Sequence, residues 1–325
     1  MYLIKNLLII SLSLISGFLI FEFFLFVIKF GDNFSNYKYS AMLSNQEFDS
    51  RTRFEYYNDL LKEDDDAVLL VTPSYYLDNE KIFPLSGIEN KTTVLDNENG
   101  FYVDYISDEN GFRNPQSKLQ KHYDAIIVGD SYANGCCVKY EDSFAGLLLN
   151  NTKFKNVLTL ASDGNGSLIE YASIKEYLPE ITFDNLFWFY YEQNDIGDLT
   201  KEKQNSILLN YLEDDKFKQN LILKKEEVLK VKLEKHQDII EAYKYDEKLI
   251  NFYQFKNILK LRRTRNMINS IMFNFKDFVP SKSSKQNQVM FEEIIKKTYK
   301  FTRQKNADFY FIYIPEYNTV TYPKQ

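Results

Sequence analysis

Apolar positions along this chain fall into three patterns. The first is continuous: Leu7–Ile28 is 22 residues of mostly Leu, Ile, Phe and Ser. At 1.5 Å rise per residue a helix of that length spans about 33 Å, close to the hydrocarbon thickness of a bilayer. Leu7–Phe21 carries no charge, and Glu22 sits toward the C-terminal end. There it costs less than the roughly 2.5–3.5 kcal/mol expected at mid-helix. The pattern predicts an uncleaved membrane anchor. A cleaved signal peptide is the alternative, but no A-x-A-like site follows, the first alanine being Ala41. Lys5 and the terminal amine stand against Lys29 and Lys38, so charge assigns no orientation.

The second pattern alternates short apolar runs with helical stretches. Residues 30–68, with an acidic run at Glu63–Asp66, read as a helical linker, and Ala67–Thr72 as a strand. Asn97–Asn99, Asn110 and Gly111 mark turns. Ala125–Val128, Asn156–Leu160 and Leu186–Tyr191 are apolar without alternation, as strands buried on both faces of a parallel sheet should be. Between them Ser143–Leu149 and Leu168–Leu178 read as helices, the latter stopped by Pro179. Strands alternating with helices predict an α/β fold with a doubly wound parallel sheet. Met290–Arg303, with Phe291, Ile294, Ile295 and Tyr299 on one side, and the run Asp308–Ile314 add one more helix and strand.

The third pattern is a long polar stretch. Asp198–Val279 holds no Gly or Pro over 82 residues, and Leu223, Val228, Val231 and Leu233 lie among charges. It reads as a helical insert that could hold a protein partner, which the sequence does not identify. The expected organisation is a tail at 1–6, an anchor at 7–28, a linker at 29–66, the first part of the α/β domain at 67–196, the insert at 197–285, and the rest of the α/β domain at 286–325.

Composition narrows the function classes. Hydrophobic residues are 44% and charged residues 26% of the 325, as in an ordinary globular protein. A net charge of −6 gives nucleic acid no basic footprint. Cys136 and Cys137 are the two cysteines and are adjacent, which excludes a disulfide framework or a zinc pattern and suggests two small buried thiols. No metal or nucleotide motif is present, so no cofactor is expected.

Each central apolar run ends in a small polar cluster: Gly129-Asp130-Ser131, Ser162-Asp163-Gly164-Asn165-Gly166 and Glu192-Gln193-Asn194-Asp195. Ligands of open parallel sheets bind beyond the carboxyl ends of the strands, so the clusters should converge on one crevice. Their chemistry suits acyl transfer. A serine at a helix start, a glycine whose N–H can approach an oxyanion and an Asn amide form a preorganised donor set, and losing one such donor costs about 3–4 kcal/mol. Asp130 reads as a residue that hydrogen-bonds its turn, Asp195 as a structural cap, and Arg113 as structural too.

These clusters, with Ser107–Asn114 and Phe187–Asp195, resemble the SGNH/GDSL hydrolase family over roughly residues 68–200, and more weakly over 287–318. The resemblance implies a flavodoxin-like three-layer fold. It makes Ser131 the nucleophile, and Gly164 and Asn194 oxyanion-hole donors; Gly166 is the other glycine of that block and could serve a tight turn. It implies an esterase or O-acyltransferase acting on an acylated small molecule or glycan, held on the outer side of a bacterial inner membrane. The chain departs from the family pattern where Glu192 replaces a glycine, where Ser162-Asp163 replaces an Asn before Gly164, and in lacking an Asp-x-x-His after the last strand.

A serine nucleophile needs a base within hydrogen-bond reach. His122 precedes Ser131 by nine residues across a strand, so it lies up to about 30 Å away, at a surface or strand edge. His236, between Lys235 and Gln237, is expected on a solvated helix face. The chain therefore reads as a fragment of a longer protein that supplies the relay. The alternative is an inactive glycan-binding or assembly protein that kept the pocket without the base.

Overall fold

The computed structural model describes residues 2–27, 47–115, 119–259, 261, 263–265, 267 and 282–315. The last residue of the expected anchor, the linker up to 46, the end of the insert near Pro280 and the tail from Glu316 lie outside them. The chain divides into two units: Met1–Ser50, Glu98–Phe101 and Ile239–Val279 form one, and Arg51–Asn97, Tyr102–Asp238 and Pro280–Gln325 the other.

In the first unit, Tyr2–Val27 is a single α-helix, α1. Ile9, Ile10, Leu14, Ile15, Phe18 and Ile20 on it are at least half exposed. Among the described residues no helix is long and apolar enough to cross a membrane. Glu22, the charge that interrupts the apolar run, is buried and satisfied. Its carboxylate accepts from the backbone N–H groups of Arg263 and Thr264, both at 2.8 Å, and from Thr264 Oγ1 at 2.6 Å.

The second unit is an α/β body. Its main sheet has four parallel strands: His122–Val128 (β4), Val157–Thr159 (β5), Thr182–Tyr191 (β6) and Asp308–Ile314 (β7), in spatial order β5-β4-β6-β7. The chain leaves β4 for β5 on one side and then places β6 on the other. Strand order thus reverses about β4, and the carboxyl end of β4 lies at that switch point, where such sheets place their sites. Ala125–Val128 are all fully buried, as the unbroken apolar run requires. Ala125 and Ile127 share a core with Ala145 on the helix Phe144–Asn151.

The helix Ser167–Tyr177 (α5) is buried along its whole length and packs against Asp195–Glu202 (α6), Ser206–Glu213 (α7) and Lys282–Gln304 (α9). Its polar side chains therefore need partners. Lys175 Nζ donates to the carbonyls of Tyr211 (2.9 Å) and Asp214 (2.8 Å). Glu176 accepts from Leu221 N–H at 3.0 Å and from Tyr211 O–H.

The expected strand at Ala67–Thr72 is shorter than its apolar run, Val68–Leu69 (β1), and does not join the main sheet. It pairs with Thr92–Val94 (β2), which pairs in turn with Asp104–Ile106 (β3). Neither β2 nor β3 was signalled by the sequence pattern.

His236 overturns its expected place on a solvated face. It lies on the long helix Lys225–Leu259 (α8) but is buried, with Nε2 accepting the Leu69 N–H at 3.0 Å and its ring edge-on to Tyr57. The helix face it occupies is polar in sequence, yet it is covered by β1 and by Arg53–Leu60 (α2). His122 matches its expectation: it is exposed at the start of β4 and bonded to Thr182. Cys137 is buried and Cys136 half-buried, and neither is in a disulfide.

Candidate active site at the carboxyl end of the sheet

After β4 the chain turns sharply at Gly129. A Cβ there would stand 2.6 Å from Ala133 Cβ and 3.0 Å from the Phe189 carbonyl, so the turn admits only glycine. Asp130 then N-caps the single helical turn Ser131–Asn134 (α3), its Oδ1 accepting Tyr132 N–H at 2.9 Å. Ser131 is the first residue of that turn and is half-buried. Among the described residues no side chain hydrogen-bonds its hydroxyl. Its carbonyl accepts Cys136 N–H at 2.9 Å, which holds the chain leaving the turn.

Two side-chain bonds bring the three clusters together. Asn194 Nδ2 donates to Asp130 Oδ2 at 3.2 Å, joining the end of β6 to the end of β4. Asn134 Nδ2 donates to Asp163 Oδ1 at 2.9 Å, joining the end of β5 to the same turn. Gly164 follows Asp163 in left-handed backbone (φ 71°) and is exposed. Gly166 turns inward: its N–H donates to Glu202 Oε1 at 2.6 Å. Asp195 is a fully buried anchor of the third turn, its Oδ2 accepting Tyr191 N–H at 2.8 Å.

The frame around the turn comes from Ser107–Asn114. Arg113 is buried and donates to the carbonyls of Asn134 (3.3 Å), Gly135 (2.5 Å) and Val138 (2.8 Å), clamping the loop after Ser131. Asp108 Oδ1 accepts the N–H groups of Asn110 and Phe112, and its Oδ2 accepts Asn114 Nδ2 at 2.8 Å. Asn114 also exchanges hydrogen bonds with both backbone groups of Thr159, the last residue of β5. Asn134, Asp108 and Asn114 carry roles that sequence reasoning did not assign. Asn134 gave no signal beyond its place three residues after Ser131.

The site is acidic beneath its surface. Asp130, Glu170, Asp195 and Glu202 are all buried. Burial pushes each carboxyl above its ordinary range, Asp195 to about 8 and Glu202 to about 7, and neighbouring carboxylates push Asp195 the same way. Neither histidine joins them. His122 starts β4, at the far end of the strand from Ser131, and the Nε2 of His236 is taken by Leu69. No family model, curated protein or solved structure matches this chain.

Proposed function

We propose that this chain is a membrane-tethered serine esterase or O-acyltransferase of the SGNH/GDSL type, acting on ester-linked acyl groups of a carbohydrate. The observation that carries the reading is the pair of bonds Asn194–Asp130 and Asn134–Asp163, through which the strand-end clusters meet beside Ser131. In this reading Ser131 is the nucleophile. One hydrogen of the Asn194 amide is held by Asp130, which leaves the other for the oxyanion beside the Gly164 N–H. The reading assigns the general base to none of the described residues. A fluorophosphonate probe should label the wild-type chain at Ser131 and leave Ser131→Ala unlabelled; equal labelling of both would sink the assignment.

A second reading is favoured by the engagement of both histidines elsewhere, His122 at the start of β4 and His236 on Leu69: a glycan-binding protein of the same fold that does not turn its ligand over. It expects an acylated oligosaccharide to bind in calorimetry while Ser131 stays unlabelled. In either case we assign α1 as the anchor in a bacterial inner membrane, with the α/β body on the outer side, on the strength of its apolar run and exposed aliphatic side chains. Release of the chain from membranes by alkaline carbonate would refute the anchor.

A further inference from the structure

Glu170 is the one charged side chain of α5 that no hydrogen bond explains. It is fully buried, and neither carboxyl oxygen has a hydrogen-bond partner. Other buried polar atoms without a hydrogen-bond partner include Ser167 Oγ on the same helix, Asn194 Oδ1, the indole Nε1–H of Trp188 on β6 and Oδ1 of Asp195 on α6, the last two on fully buried residues. The Trp188 N–H faces the Glu170 carboxyl, and the charged groups acting on that carboxyl are Asp195, then Asp130, then Glu202, all of them acids. Buried carboxylates facing only other carboxylates need neutralising, by a cation or by a proton. No three of these carboxylates come close enough together to share one ion. Among the described residues the trio of ligating atoms close enough for one ion is His122, Asp124 and Asp184, beside the start of β4 and away from this cluster. A proton does fit, because one shared between Glu170 and Asp195 would leave neither of these buried acids facing a second full charge.

We propose that Glu170 is a positioning residue of the Ser131 site: an acid that accepts from Trp188 Nε1 and shares one proton with Asp195 Oδ1. The other oxygen of Asp195 already holds Tyr191 N–H. The proton therefore fixes both oxygens of the residue next to Asn194, and with them the turn that aims the Asn194 amide. The inference rests on the proposed role of that amide, but its protonation half can be read without any activity.

Trp188 is the only tryptophan of the 325 residues, so its fluorescence reports on Glu170. The full-length chain in detergent should show a pH-dependent change in emission with its midpoint above the ordinary carboxyl range. Glu170→Gln keeps both contacts without an ionisable proton, and should abolish that transition. Fluorophosphonate labelling of Ser131 should fall across the same transition in the wild type but not in Glu170→Gln, whose rate should stay within about threefold of wild type below it; Glu170→Leu should lose about tenfold. Emission that does not titrate, or titrates identically in Glu170→Gln, overturns the shared proton. A Glu170→Leu chain that labels as fast as wild type overturns the positioning role. If no variant labels, wild type included, it is the enzyme reading that has failed, and the fluorescence titration still decides the proton.

Discussion

Protonating His236 should destabilise the α/β body by an amount the structure lets us estimate. Its Nε2 accepts Leu69 N–H at 3.0 Å in a buried site, so the neutral ring with its proton on Nδ1 is the form that fits. Burial lowers its pKa from 6.5 to about 4. A folded-state pKa below the unfolded value means that the unfolded chain binds the proton first. The stability contribution is whole above about pH 6.5 and is lost as pH falls toward 4. At 1.36 kcal/mol per unit the full window is worth roughly 3 kcal/mol, of which about 2 kcal/mol is gone by pH 5. The buried carboxyls of Asp130, Glu170, Asp195 and Glu202 work in the opposite direction. Their raised pKa values give stability that is present at low pH and lost as pH rises. Wild-type stability alone would therefore mix the two effects, and the difference between wild type and His236→Gln isolates the histidine. Urea unfolding of both chains at about pH 7 and about pH 5 should show the wild type losing roughly 2 kcal/mol more than the variant. Equal losses would refute a buried neutral His236 and return it to the solvated face that the sequence suggested.

Other perturbations follow from the frame around the site. Arg113→Met strands three loop carbonyls and should cost about 2–4 kcal/mol in chemical unfolding, with slower probe labelling at temperatures where the variant is still folded. Gly111→Ala places a Cβ against the Gly87 carbonyl at a φ of 92°, and should cost about 3 kcal/mol or more; a loss below about 1 kcal/mol would mean this turn can relax. Glu176→Gln turns an amide toward a pocket of donors that includes Leu221 N–H, and should cost about 1–3 kcal/mol, read as a lower thermal midpoint.

What the residue pattern alone determined is the frame of the α/β body. The runs ending at Val128 and Leu160 are apolar because their strands are buried on both faces, and the run ending at Tyr191 is buried at Leu186, Trp188 and Phe189, so all three could be read as strands directly, while their order in the sheet could not. The run Asp308–Ile314 was read with the bounds the structure has. Glycine and serine at the end of β4 marked the tight turn for a similarly local reason: the backbone there has no room for a Cβ.

Tertiary structure decided everything that depends on distant partners. Strands β2 and β3 are three residues each and exist through pairing with one another and with β1, which no local periodicity encodes. His236 sits on a helix whose pattern is polar, and only the arrival of Leu69, 167 residues earlier in the chain, makes its position dry. The acids beneath Ser131 come from separate turns and helices, and each alone looks like an ordinary cap or surface carboxylate. Their charge state follows from burial and from one another, quantities that arise only when the chain has closed around them.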